Sequence, residues 1–334
     1  GRLMVMIRMR PRCSVRTALE ALDCSLICPI VIMTGMASDT RANEIHPQLR
    51  TVARLLPHQV VYPWSLPVLR RMPGPRRNSG NGVDVVDLPS GAGARLYRPA
   101  GEDAATPALL WIHGGGYLLG SPEQDDALCR RYVQRLGIAV AAVRYRLAPE
   151  HPYPIPLEDC YRVLTWLAGL PGVDADRIAI GGASAGGGLT AALSFLARDR
   201  GEVSPVLQVL SYPMLDDRTV DPALDQPGFR LWNTRSNRFG WTSYLGGADP
   251  AVAVPARRTD LAGLAPAWLG VGTLDLFCAE DLAYAARLNA AGVACEVHEV
   301  PGAFHGFDGL APKAAVSQAY FDSTCASLSR ALKV

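Results

Sequence analysis

Gly182-Ala183-Ser184-Ala185-Gly186 sets a hydroxyl among small residues, after the apolar run Arg177 to Ile180 and before a helical run of small residues, Gly187 to Ala197. In a strand, tight turn, helix context this G-x-S-x-G spacing lifts a serine onto a strained elbow, where its oxygen can act as a nucleophile. Glycines suit the flanks because side chains there would collide where strand and helix converge, and the turn needs an unusual φ/ψ. The five residues alone specify little, since small residues around a serine are common in Gly/Ala-rich loops. Nucleophilic chemistry also requires a base, an acid to orient it, and donors for an oxyanion.

Each of these has a candidate. His113-Gly114-Gly115-Gly116-Tyr117 directly follows the apolar run Leu109 to Ile112, and successive glycines let backbone N–H groups turn toward a bound carbonyl. A phosphate-binding reading of that turn is weak, because neither G-x-x-x-x-G-K-[ST] nor a dinucleotide fingerprint is present. Asp275 lies just past the apolar run Ala267 to Val271, at the carboxyl end of an expected strand, where an acid can orient a histidine. It is favoured over Glu280 and Asp281, which fit the first turn of a helix, and over Asp159. Of the six histidines, His305 sits in the loop Gly302-Ala303-Phe304-His305-Gly306-Phe307, which suits a proton-transferring imidazole. His46 and His58 fall in a Pro-interrupted segment, His151 in a Pro-rich loop and His298 within a strand, while His113 is better placed to structure the glycine turn.

These residues need a scaffold that brings strand ends together. From Val83 onward short apolar runs alternate with helical patterns, the signature of a mostly parallel sheet with helices on both faces. Strands are expected at Val83 to Leu88, Ala94 to Arg98, Ala108 to His113, Ala139 to Tyr145, Arg177 to Gly181, Val206 to Ser211, Ala267 to Val271 and Cys295 to Val300. Helices are expected near 124–136, 157–169, 186–198, 279–291 and 313–331. Two stretches break the alternation: 40–75, which carries Pro57, Pro63, Pro67, Pro73 and Pro75 among helical pieces, and 215–250, with Trp232, Phe239, Trp241 and Tyr244. Both are expected to fold over the carboxyl ends of the strands as a shared lid, which makes Trp232 and Trp241 pocket-lining candidates alongside Tyr117 of the glycine turn. The resulting division is an extension at 1–35, a first cap segment at 36–80 ending in the linker Arg76 to Gly82, and an α/β domain at 81–334 with a cap insertion near 215–250.

Composition narrows the function classes. With 334 residues and 49% hydrophobic content the chain can bury a large core, and 33 basic against 31 acidic residues leave a net charge of only +2. Such a balance gives no electrostatic case for nucleic acid or a membrane surface. No run reaches the ~18 apolar residues of a membrane span, the nearest being Cys24 to Met36, broken by Pro29. A basic segment, Arg8 to Arg12, gives the opening the outline of a signal peptide, but Glu20 and Asp23 interrupt it. Residues 1–35 therefore read as an upstream extension, with Met36-Ala37-Ser38-Asp39 as a natural start. Eight scattered cysteines show no metal-ligand spacing, and they read as reduced thiols of a cytoplasmic enzyme.

Taken in order, His113-Gly114-Gly115-Gly116, Tyr145 to Pro152, Gly182 to Gly187, Asp275 and His305-Gly306-Phe307 resemble the motifs of the hormone-sensitive lipase family of bacterial carboxylesterases. The likeness runs from about Ser38 to the end, and the chain order Ser184, Asp275, His305 is that of α/β-hydrolases. The resemblance implies an α/β-hydrolase fold with an eight-stranded, mostly parallel sheet, a helical cap, and cofactor-independent hydrolysis of short to medium acyl esters. It implies Ser184 as nucleophile, His305 as base and acid, Asp275 as orienting carboxylate, and the N–H groups of Gly115, Gly116 and Ala185 as oxyanion donors, with His113 and Gly114 supporting the turn. It further implies homodimers through the last strand, Cys295 to Val300. Ala183 departs from the family, which mostly carries Asp or Thr there, and leaves acyl preference open. Long-chain lipase or acyltransferase action on the same site is the neighbouring alternative. A non-catalytic small-ligand receptor, as in relatives that lack the histidine, is the alternative of another class.

Overall fold

The computed structural model describes residues 44–71, 82–101 and 105–334. The extension at 1–35, the first residues of the cap segment and most of the Arg76 to Gly82 linker lie outside the described residues. Among the described residues a short 3₁₀ turn, Pro47–Leu49, leads into two short helices, α1 (Arg50–Leu55) and α2 (Leu66–Arg71). Then follow β1 (Val83–Asp87), β2 (Gly93–Tyr97), β3 (Thr106–Ile112), α3 (Asp126–Leu136), β4 (Ala139–Arg144), α4 (Ile155–Ala168), β5 (Val173–Ala183) and α5 (Ala185–Arg200). The rest comprises β6 (Leu207–Ser211), α6 (Thr234–Leu245), α7 (Pro250–Ala253), β7 (Ala267–Leu274), α8 (Cys278–Ala290), β8 (Cys295–Phe304), α9 (Phe307–Leu310) and α10 (Ala315–Leu332).

The strands form one sheet in the order β1-β2-β4-β3-β5-β6-β7-β8. β2 alone runs against its neighbours; every pairing from β4 to β8 is parallel. Its central strands are apolar on both faces because both are covered. Along β3, Leu109 and Trp111 enter one core cluster, while Ala108, Leu110 and Ile112 enter the other, as the two-residue period of a strand requires. Trp111 meets Tyr132 of α3, which in turn packs on Phe321 of α10, so α3 and α10 share a face. Leu110 and Ile112 belong instead with Leu157 and Leu164 of α4 and Leu189 and Leu193 of α5.

Every expected strand and helix is present with shifted ends. The two corrections that matter lie at the site: β5 runs on through Ala183 and β8 through Phe304, so two strands deliver their residues directly to it rather than through loops. The helix expected from 124 begins at Asp126 behind a short 3₁₀ turn. β8 is an edge strand. Cys129, Cys160, Cys278, Cys295 and Cys325 are free thiols; the other three cysteines lie outside the described residues.

The stretches that break the alternation meet one another. Leu231 donates its N–H to the Pro57 carbonyl at 2.9 Å, Arg230 Nε to the Ala53 carbonyl at 2.7 Å and Asn233 Nδ2 to Gln59 Oε1 at 3.2 Å. His46 N–H bonds the Gly302 carbonyl at 2.8 Å, tying the first segment to β8 as well.

Candidate active site

β5 ends at Ala183, α5 begins at Ala185, and Ser184 stands between them at φ 57°, ψ −120°. A left-handed backbone is costly for a residue with a side chain, so the surrounding structure must hold it there. Three backbone bonds do so: Ser184 N–H donates to the Ser211 carbonyl at 2.9 Å, and its own carbonyl accepts from Gly188 at 3.0 Å and Met214 at 2.9 Å. The crossing is tight enough that a Cβ on Gly186 would lie 2.0 Å from the Ile112 carbonyl oxygen. This backbone contact explains the glycine physically.

His305 follows the last residue of β8, and Asp275 follows β7. His305 Nε2 lies 2.9 Å from Ser184 Oγ, and His305 Nδ1 lies 2.8 Å from Asp275 Oδ2. All three are buried, at 7% exposure for Ser184, 3% for Asp275 and 8% for His305. The imidazole is clamped edge-on between Tyr212 and Phe277, with ring centroids 5.0 and 5.3 Å away. Asp275 Oδ1 accepts the Phe277 N–H at 3.0 Å, leaving Oδ2 for the imidazole. The competing acids stand apart from the histidine: Asp159 accepts from the guanidinium and N–H of Arg146, Glu280 accepts the N–H groups of Leu215 and Asp216, and Asp281 lies in the first turn of α8.

The glycine turn after β3 lies against the elbow, since a Cβ on Gly114 would meet Ala183 O at 3.0 Å and Ser184 Cβ at 3.3 Å. Gly115 and Gly116 take φ of 124° and 62°. The His113 ring stacks on Tyr145 at 4.3 Å, and its Nδ1 bonds the Gly114 carbonyl at 2.8 Å. Burial pushes its pKa down to about 4, so the neutral ring can donate Nδ1–H and hold the turn. Ala185 heads α5, where first-turn N–H groups have no partner within the helix.

A cleft of about 450 Å³ opens over Ser184 and His305, walled by the glycine turn, Val60, Val61, Leu231 and Trp232. Trp232 thus lies on the cleft wall. Tyr117 and Trp241 do not: at 1% and 2% exposure they pack with Tyr244 in an aromatic cluster away from the cleft wall. Their aromatic type signalled burial equally well, and packing won. The residues that sequence reasoning missed, Val60, Val61, Leu231 and Tyr212, carry no motif; only Tyr212, just past the end of β6, had a position that pointed to the site. Among the described residues no cluster of His, Cys, Asp and Glu could hold a metal ion, and no helix is long and apolar enough to cross a membrane.

This sheet order, with a serine elbow facing a histidine and an acid from later strand ends, defines the α/β-hydrolase class. The family described as alpha/beta hydrolase fold matches residues 109–309, and the chain belongs to it, as a carboxylic ester hydrolase of the branch resembling hormone-sensitive lipase. It is 40% identical to the carboxylic ester hydrolase LipN of Mycobacterium tuberculosis over 72% of this chain and 67% of that protein. It is 35% identical to the esterase LipI of the same organism, over 69% of this chain and 75% of that one. Among solved structures it resembles a bacterial heroin esterase (TM-score 0.75, 36% identity, 86% of this chain and 98% of that one). The esterase LipW from Mycobacterium marinum is similarly close (TM-score 0.76, 35% identity, 87% and 97%).

Proposed function

We propose that the chain hydrolyses short to medium acyl esters through an acyl-enzyme on Ser184. The observation that carries this reading is the continuous hydrogen-bonded line from Ser184 Oγ to His305 Nε2 and from His305 Nδ1 to Asp275 Oδ2. His305 takes the Ser184 proton as the oxygen attacks the ester carbonyl, and Asp275 holds the ring in the tautomer with Nε2 free and steadies the imidazolium that forms. The developing oxyanion is held by the N–H groups of Gly115, Gly116 and Ala185. Collapse of the tetrahedral intermediate breaks the C–O bond to the alcohol, which leaves with the proton from His305. Water then repeats the sequence on the acyl-enzyme and returns the acid.

The segments at 44–71 and 215–250 are read as a lid over this cleft, supported by the hydrogen bonds that join them and by Val60, Val61, Leu231 and Trp232 on the cleft wall. A cleft of about 450 Å³ lies within the usual range of small-molecule sites and so fits a small ester. His305 within hydrogen-bond reach of Ser184 favours catalysis over a ligand-receiving role. Ser184→Ala is expected to abolish hydrolysis of an activated short-chain ester, by roughly 10⁶-fold in kcat as in comparable serine enzymes, with an unchanged melting curve. Turnover near the wild-type rate by that variant would remove the assignment.

A further inference from the structure

Beside the cleft lies a second, more enclosed cavity of about 170 Å³. The two spaces share Gln124, Asp125, Ala183, Tyr212 and Gly309 as walls, so they adjoin one residue from the nucleophile. Ala183 contributes only a methyl group at that junction. The mechanism above draws on no polar group that faces this second space alone.

Two carboxyl groups line it. Asp125 Oδ2 accepts Trp111 Nε1–H at 2.9 Å, and Asp308 Oδ1 accepts the Tyr212 hydroxyl at 2.8 Å. A carboxylate has about four acceptor sites; Asp308 also accepts the N–H groups of Gly309 and of its own residue, so the larger share of the capacity left for a ligand lies on Asp125. Burial pushes Asp125 up to about 7 and raises Asp308, and each would recover its charge against an incoming cation. Arg131, the cationic residue in the lining, is held against the wall: its guanidinium lies 3.8 Å from the ring centroid of Phe321, another lining residue, and donates to Gln318 Oε1 at 2.9 Å. Ser317 Oγ, also in the lining, is buried without a hydrogen-bond partner among the described residues.

We propose that this cavity is a substrate subsite for a protonated amine carried on one arm of the ester, held by Asp125 and Asp308 beside the reacting carbonyl. The inference rests on Ser184 as nucleophile, because it places the amine relative to that oxygen. An ester bearing an ammonium group is then a better substrate than its neutral isostere of the same shape.

The test compares kcat/KM within two isosteric pairs, one for each arm of the ester, followed by acid release. Ethyl 4-(dimethylamino)butanoate against ethyl 5-methylhexanoate probes the acyl arm, and 2-(dimethylamino)ethyl acetate against 3-methylbutyl acetate probes the alcohol arm. In one pair the amine is expected to be preferred about tenfold or more, the value of a hydrogen bond to a charged group. Asp125→Asn combined with Asp308→Asn is expected to bring that ratio to near unity. Should that variant fail to fold, Ala183→Leu, which narrows the junction, is expected to do the same. Neutral esters hydrolysed with no preference for the amine in either pair would overturn the subsite while leaving the nucleophile assignment intact. Failure to hydrolyse any of the four esters would overturn both. A preference that survives both variants would also overturn the subsite.

Discussion

At the scale of single residues the site depends on a few backbone positions that tolerate no side chain. Gly116 has φ 62°, and a Cβ there would lie 2.1 Å from the Trp232 ring. That ring is buried and its Nε1–H donates to Asn237 Oδ1 at 3.2 Å, so it cannot swing aside without breaking a bond. Gly116→Ala is therefore expected to tilt the turn and take its N–H off the oxyanion. Steady-state kcat for a short-chain ester should fall on the order of 10²-fold, the usual cost of one donor. An unchanged kcat would mean that this N–H does not serve the oxyanion. Ala183 works in the opposite way, since its small side chain leaves space beside the elbow that a larger residue would fill.

Between elements, Glu280 of α8 is the clamp that ties the acid-bearing side of the sheet to the segment after β6. Its Oε1 accepts the N–H groups of Leu215 at 2.7 Å and Asp216 at 3.0 Å, and its Oε2 accepts the Thr219 hydroxyl. Met214, one residue before, donates to the Ser184 carbonyl, so the clamp also steadies the elbow. Glu280→Ala leaves those donors without their acceptor, at a cost of about 1–3 kcal/mol for each that stays buried. Glu280→Gln keeps the oxygen that serves the two backbone groups, and Thr219 can accept from the new amide. The alanine variant should melt several degrees lower and lose esterase activity in parallel, with the glutamine variant close to wild type near neutral pH. Equal melting temperatures for the wild type and the alanine variant would contradict the clamp.

For the molecule as a whole, buried carboxyls set the pH dependence of stability. Asp125 is pushed up to about 7 and Glu280 to about 8, mainly by burial, and Asp281 and Asp308 are raised as well. A carboxyl with a raised folded-state pKa keeps a proton that the unfolded chain has already released. Its contribution is therefore present at low pH and is lost as pH climbs through the folded value. His113, lowered to about 4, acts the other way: its contribution holds at neutral pH and is lost as pH falls from the ordinary histidine range toward 4. Above pH 6.5 the carboxyls act without that opposition, and the melting temperature should fall between pH 6.5 and 8.5. Glu280→Gln removes one of those protons and should flatten the slope. A flat wild-type profile across that range would show that these groups titrate alike in both states.

The sequence by itself determined what neighbouring residues decide: which runs are strands buried on both faces, where the elbow and the glycine turn fall, and that Ser184, Asp275 and His305 stand beyond strand ends. Those features are encoded within a few residues of themselves, by apolar period and by glycine where backbone crowds. Tertiary structure alone decided what depends on strand order. His305 meets an acid 30 residues away and a serine 121 residues away because the parallel crossovers set β5, β6, β7 and β8 side by side. The same packing kept Trp232 at the cleft, drew Trp241 and Tyr117 into the interior, and brought Asp125 and Asp308 to one cavity from opposite halves of the chain. No local pattern marks such a meeting, because its energy belongs to the assembled layers rather than to either segment.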